Sequence, residues 1–147
     1  MSTTTDLYNE AIIKEAKGAA VGATRLEHPD ATVTRDNPLC GDRVTLDLAV
    51  EDGRVAAVGQ KVRGCLLTQA ATGLLARRAP GADAATLKAV AREVEAALKG
   101  EAVAEPLWEE LAMFRPLQAV RSRHECVRLP FEALEEALAE ATKGGAS

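Results

Sequence analysis

Aromatic residues are scarce in this chain. Tyr8, Trp108, Phe114 and Phe131 make up 3% of it, so leucine, valine and alanine must build the core. A basic surplus is missing as well: 18 Lys and Arg stand against 22 Asp and Glu, a formal net charge of −4. That balance argues against a nucleic-acid module, whose surface would carry the opposite sign. No apolar run approaches the roughly 18 residues of a membrane span. The opening Met-Ser-Thr-Thr-Thr-Asp has neither the basic start nor the apolar stretch of a signal peptide, so a cytoplasmic location is expected. There are three cysteines and no Cys-x-x-Cys pair; an odd number without an export signal points to free thiols or metal ligands rather than to a disulfide framework. The 147 residues are 47% apolar and 27% charged, the balance of a soluble globular protein with one core. The expectation is a single domain over 1–147, with about five residues frayed at each end (1–5 and 143–147).

The pattern along the chain reads as a helix, a loop, a hairpin and a run of helices. Leu7, Ala11, Ile12 and Ala16 fit one face of a short helix, with Thr5 or Asp6 available as its cap. Residues 18–38 are small, polar or turn-forming, and an edge strand is placed only loosely at 31–35. Val44, Leu46, Leu48 and Val50 alternate with polar or small neighbours, the period of a half-buried strand. Glu51-Asp52-Gly53-Arg54 supplies the hairpin turn, and a bulge is expected in the return strand 55–62 near Gly59, where the apolar phase slips. Leu66 to Leu75 are apolar around most of a helical circumference, which predicts a central buried helix. An amphipathic helix follows over 87–98, closed by Gly100. Pro106 is read as the first turn of a further helix with Leu107, Leu111 and Phe114 on one face, stopped by Pro116. Pro130 is read as opening the last helix, with Phe131, Leu134 and Leu138 inward. The fold class is α+β, a small antiparallel sheet with packed helices.

The three cysteines all fall at the ends of elements. Cys40 sits in the turn Asn37-Pro38-Leu39-Cys40-Gly41-Asp42, Cys65 follows Gly64 at a strand–helix junction, and Cys126 precedes the final helix. Residues i and i+2 of an extended segment point the same way, so Cys40 and Asp42 can converge on one cation, with Gly41 permitting a bend. Three thiolates and one carboxylate suit tetrahedral zinc and leave a charge of about −2, which Arg121, Arg123 and Arg128 could offset. Taken singly, Cys65 and Cys126 read as well as small buried apolar side chains. His28 and His124 are candidate ligands or solvated loop residues.

Asn37-Pro38-Leu39-Cys40-Gly41-Asp42, Gly64-Cys65 and a cysteine shortly before the last helix resemble the IscU/NifU N-terminal family of iron–sulfur cluster assembly proteins. The likeness runs from Leu7-Tyr8 to about Leu138 and implies a three-stranded antiparallel sheet with packed helices. Two features resemble the SufU-type branch: Glu125 stands where cluster scaffolds carry a histidine before the last cysteine, and Glu105 to Val120 looks like the insertion of that branch. The resemblance implies a Zn2+ site of Cys40, Asp42, Cys65 and Cys126, with Arg123 supporting work with the partner. That partner would be a PLP-dependent SufS-type cysteine desulfurase, with downstream cluster assembly proteins after it. In this reading a histidine of the desulfurase takes over a zinc position, and the freed Cys40 thiolate attacks the outer sulfur of a persulfide, a sulfurtransferase-type step. The alternative implied by the same family is a scaffold on which a transient [2Fe–2S] cluster is assembled. Val62, Thr68 and Ala71 depart from the branch pattern, which would usually have a glycine and two serines there, and residues 16–27 lack its Asn-Pro-Arg-Asn stretch.

Overall fold

The computed structural model of the chain describes residues 9–21, 24–39 and 41–145. Helix α1 spans Glu10–Val21, followed by strands β1 (Ala31–Asn37), β2 (Asp42–Glu51) and β3 (Arg54–Arg63). Helices α2 (Leu66–Arg78) and α3 (Ala84–Leu98) come next, then 3-10 segments over Glu109–Ala119 and Arg121–Arg123, and helix α4 (His124–Gly145).

The sheet is antiparallel in the order β1-β2-β3, with Asn37 opposite Asp42 and Arg43 opposite Arg63. β1 is the expected edge strand, longer by two residues at its end. Asp52 and Gly53 both take positive φ (53° and 75°), the conformation that matches a two-residue turn to the strand twist. The bulge lies elsewhere than at Gly59. Ala49 pairs with Ala57 and Val50 with Val55, so Ala56 is the additional residue. Gly59 instead answers a close approach: a Cβ there would lie 2.7 Å from the Leu26 nitrogen and 2.8 Å from the Thr24 oxygen.

On one face of β2, Val44, Leu46 and Leu48 are buried beneath the helices; α4 lies across β1 and β2, and α2 contacts β3. α2 is buried around most of its circumference and is covered on another side by α1. A Cβ on Gly73 would meet Ala19 Cβ and the Glu15 carbonyl at 2.8 Å, so small residues set that helix contact. The buried apolar residues form one continuous cluster. On the other face of the sheet, Asp47 is fully buried and takes four donors. They are Arg25 Nε (2.6 Å) and Nη2 (2.9 Å), the Leu26 amide (3.0 Å) and the Thr32 hydroxyl (2.6 Å). These bonds pin the segment after α1 against the strand.

Three helix boundaries differ from expectation. The α1 cap is Asn9, whose Oδ1 accepts the Ile12 amide at 3.0 Å; Thr5, Asp6 and Leu7 lie outside the described residues. Ile12, Ala16 and Ala19 form its buried face, while Ala11 is exposed. The segment expected to run from Pro106 to Pro116 is a 3-10 helix that continues through Pro116, and Leu107 is exposed. Its buried Leu111, Phe114 and Leu117 recur every third residue, the 3-10 period. Pro116 has no N–H for the Met113 carbonyl, and Asn9 Nδ2 donates to that oxygen instead at 3.2 Å. Finally, α4 begins at His124, six residues before Pro130, so Cys126 lies inside the helix in its first turn. α3 behaves as read, with Asp83 Oδ1 accepting the Thr86 amide at its start and Gly100 at φ 76° after its end. Of the ends expected to fray, 143–145 belong to α4, and 1–5 and 146–147 lie outside the described residues.

The Arg25 guanidinium holds the Asp47 carboxyl down at about 2 from its ordinary 3.8; Thr32 and the Leu26 amide add to this, against burial. A depressed folded-state pKa contributes stability that is present above 3.8 and lost as pH falls through about 2. Asp47→Asn is therefore expected to destabilise the fold by about 3 kcal/mol at neutral pH in urea unfolding. It should also flatten the decline of stability between pH 4 and 2, by about one proton's worth of slope. An unaltered acid profile would mean that Asp47 is not the carboxylate that titrates there.

Candidate metal centre

Three elements bring their first residues to one point. Asp42 opens β2, Cys65 immediately precedes α2 as its N-cap, and Cys126 is the third residue of α4. A carboxylate oxygen of Asp42 and the two sulfurs all lie within 4.8 Å of one another. Asp42 and Cys126 are buried, while Cys65 is half-buried.

The local chain explains why these groups meet. The turn between β1 and β2 is closed by the Gly41 amide donating to the Asn37 carbonyl (2.8 Å) and the Leu39 amide donating to Asn37 Oδ1 (3.2 Å). Gly41 sits at φ 72°, where a side chain would be strained. Asp42 Oδ1 then accepts the Cys65 amide at 3.2 Å, and Oδ2 accepts the Thr68 hydroxyl at 2.7 Å. Gly64 makes room for the carboxylate, since a Cβ there would lie 2.7 Å from Asp42 Oδ1. Thr68 Oγ1 is also 3.5 Å from Cys65 Sγ, so one hydroxyl touches both groups.

The two thiols are electronically unequal. The Cys126 thiol donating to Cys65 draws the latter's pKa down to about 5, helped by the Thr68 hydroxyl and amide and opposed by burial and Asp42. The same bond, with burial and the nearby Cys65 and Asp42, pushes Cys126 up. Without a cation, a Cys65 thiolate is thus stabilised by a proton kept on Cys126. Two sulfurs and a carboxylate crowded together, with no cationic side chain bonded to any of them among the described residues, are a donor set that fits a thiophilic divalent ion such as zinc.

Other residues singled out from the sequence fall into different places. Cys40 lies outside the described residues. His124 is not part of the cluster: its Nε2 donates to the Leu117 carbonyl at 2.8 Å. Arg128, expected among the charges offsetting the centre, is instead forked onto Glu95 (2.8 and 2.7 Å) and also bonds Glu125 (2.9 Å). Arg121 is exposed and Arg123 half-buried, both in the 3-10 turn before α4. Sequence reasoning treated Thr68 only as a departure from a serine. Its position three residues after an N-cap cysteine is the capping-box spacing, and that signal could have placed it beside Cys65.

The profile of the NifU-like N-terminal domain matches residues 8–140. The chain belongs to that family. Among its relatives is the iron–sulfur cluster assembly scaffold protein IscU of Thermotoga maritima, 31% identical over 134 residues, spanning 90% of this chain and 92% of the relative. The crystal structure of the N-terminal part of a nitrogen-fixing NifU-like protein from Brucella abortus superposes with a TM-score of 0.88 at 29% identity, covering 97% of this chain and 99% of that one. A protein of Fervidobacterium islandicum AW-1 (FiSufU), put forward as an iron–sulfur cluster assembly scaffold for the SUF system, has the same fold, with a TM-score of 0.82 at 23% identity over 92% of this chain and 98% of the other. The family's three-stranded sheet and packed helices are those described above.

Thr68→Val removes the hydroxyl and keeps the shape. It is expected to weaken zinc affinity about tenfold or more, as loss of a ligand-orienting partner does. Asp42→Ala should weaken it further, by loss of a donor. Both are measured by competition with a chromophoric chelator, and an Asp42→Ala protein with unchanged affinity would remove Asp42 from the ligand set.

Proposed function

We propose that the chain is an iron–sulfur cluster assembly protein of SufU type, a zinc-bound sulfur acceptor that takes persulfide sulfur from a SufS-type, PLP-dependent cysteine desulfurase. The ligands proposed are Cys40, Asp42, Cys65 and Cys126. Bound zinc would keep the thiols deprotonated at neutral pH.

The observation that carries this reading is the neighbourhood of Cys126. The position that a cluster scaffold would fill with histidine holds Glu125, which is exposed and paired with Arg128, and His124 is bonded to the Leu117 carbonyl. The described donors are therefore two thiols and a carboxylate without an imidazole, a set suited to zinc. In the proposed step the Cys40 thiolate attacks the outer sulfur of the desulfurase persulfide. A new S–S bond forms on Cys40, the donor's S–S bond breaks, and the donor cysteine leaves as a thiolate. Asp42 and Thr68 hold the remaining donors in place, and the buried Cys126 is kept from water.

The second reading, assembly of a [2Fe–2S] cluster on the same thiolates, is favoured by the Thermotoga relative, which is named a scaffold. One experiment separates the two. The zinc-loaded protein is mixed anaerobically with a cysteine desulfurase and free cysteine, without iron, and alanine release and intact mass are followed. Faster alanine release with added sulfur on Cys40 is expected, and Cys40→Ala should abolish both. No acceleration and no added sulfur would overturn the acceptor reading and leave iron reconstitution as the test of the scaffold.

A further inference from the structure

A groove of about 970 Å³ runs between α3 and α4, lined on one side from Ala84 to Lys99 and on the other from Phe131 to Thr142. Neither Asp42, Cys65 nor Cys126 lines it. Its floor is the outer surface of the core, formed by Leu87, Val90, Phe131 and Leu134. Its walls are low because alanines stand along them, Ala85, Ala91 and Ala96 on α3 and Ala139 on α4. Small side chains let a further helix approach to ordinary packing distance.

The two edges of the groove carry opposite charge. On α3, Lys88 and Arg92 are exposed, with no hydrogen-bond or ion-pair partner among the described residues. They also stand four residues apart, a like-charge spacing that is unfavourable on an isolated helix. Glu95, the acid nearest them along that edge, is already forked onto Arg128, and Glu101 lies past the end of α3. On α4, Glu135 is exposed and likewise has no such partner among the described residues. Ala139 and Thr142, both exposed, follow it at i+4 and i+7, so the outer edge of α4 is a narrow ridge with an acid at one end.

We infer that this face pairs with the same face of a second copy of the chain, the α4 ridge of each entering the groove of the other. A half-turn about an axis along the groove exchanges its two edges. It therefore lays each copy's Lys88 and Arg92 against the other's Glu135, and every contact occurs twice. A half-turn about an axis across the groove would set like charge on like, so only one of the two pairings is electrostatically allowed. The apolar floor that α3 and α4 leave open is covered by the ridge in the same step.

Sedimentation equilibrium of the full chain tests this, with zinc present and under a reductant, so that no thiol link contributes. At low salt the mass should rise with concentration toward twice the 15.5 kDa of one chain. Arg92→Glu and Glu135→Arg should each weaken pairing about tenfold or more, and the two exchanges together in one chain should restore it. Ala139→Arg should abolish pairing, by widening the ridge and turning it basic. Lys17→Glu, an exposed charge on α1, should leave it unchanged. The substituted positions are all exposed, and melting temperatures establish that the variants are folded; if Arg92→Glu is not, Arg92→Gln replaces it, with a smaller loss expected. A mass of one chain up to millimolar concentration would overturn the inference and leave the groove to another protein or to a small amphiphile. A dimer that survives both Arg92→Glu and Ala139→Arg, or one that the double exchange fails to restore, would also overturn it, since the pairing would then use another face.

Discussion

A carboxylate taken out of water must find donors, and Asp42 finds them only when a second element arrives beside it. The Cys65 amide and the Thr68 hydroxyl both belong to the start of α2, so satisfying Asp42 fixes where that helix begins relative to β2. The glycines on either side serve the same requirement, Gly41 by turning the chain and Gly64 by leaving space. Once α2 is placed, its buried face organises α1 on one side and α4 on the other, and α4 carries Cys126 to the same point. The candidate metal centre and the core thus share one geometric constraint.

β2 carries a second buried aspartate, and the two are handled in opposite ways. Asp47 is saturated by a guanidinium fork, an amide and a hydroxyl, so its charge is neutralised by the protein itself. Among the described residues Asp42 receives two neutral donors and no cation, and the sulfurs of Cys65 and Cys126 lie within 4.8 Å of it. A separation of five positions, an odd number, puts the two side chains on opposite faces of the strand. One is closed and structural, and the other is left short of positive charge. That contrast, more than burial alone, is what makes Asp42 a candidate ligand.

The parts of the fold set by short-range pattern could be read from the chain. Alternation at Val44 to Val50 and the Asp52-Gly53 turn define the hairpin, and apolar residues around the whole of 66–75 mark α2 as central. The parts that escaped were decided by distant partners. Pro116 sits inside a 3-10 helix because Asn9, more than a hundred residues away, takes the carbonyl it cannot serve. Pro130 was taken for a helix start, whereas tertiary packing extends α4 back to His124. The motif turn and the cysteine positions made a ligand set thinkable from sequence. The supporting bonds of Thr68 and the engagement of Arg128 by Glu95 needed three dimensions.

Pro130 has a further effect on the centre. In α4 its nitrogen would have bonded the carbonyl four residues back, and that carbonyl belongs to Cys126. The helical ladder therefore lacks a rung at the residue that bears the buried thiol. The first turn of the 22-residue α4 is therefore joined to the rest of the helix by one backbone hydrogen bond fewer than an uninterrupted helix would have. In the zinc site proposed above, the Cys126 sulfur would be carried by a turn whose own carbonyl the helix leaves free.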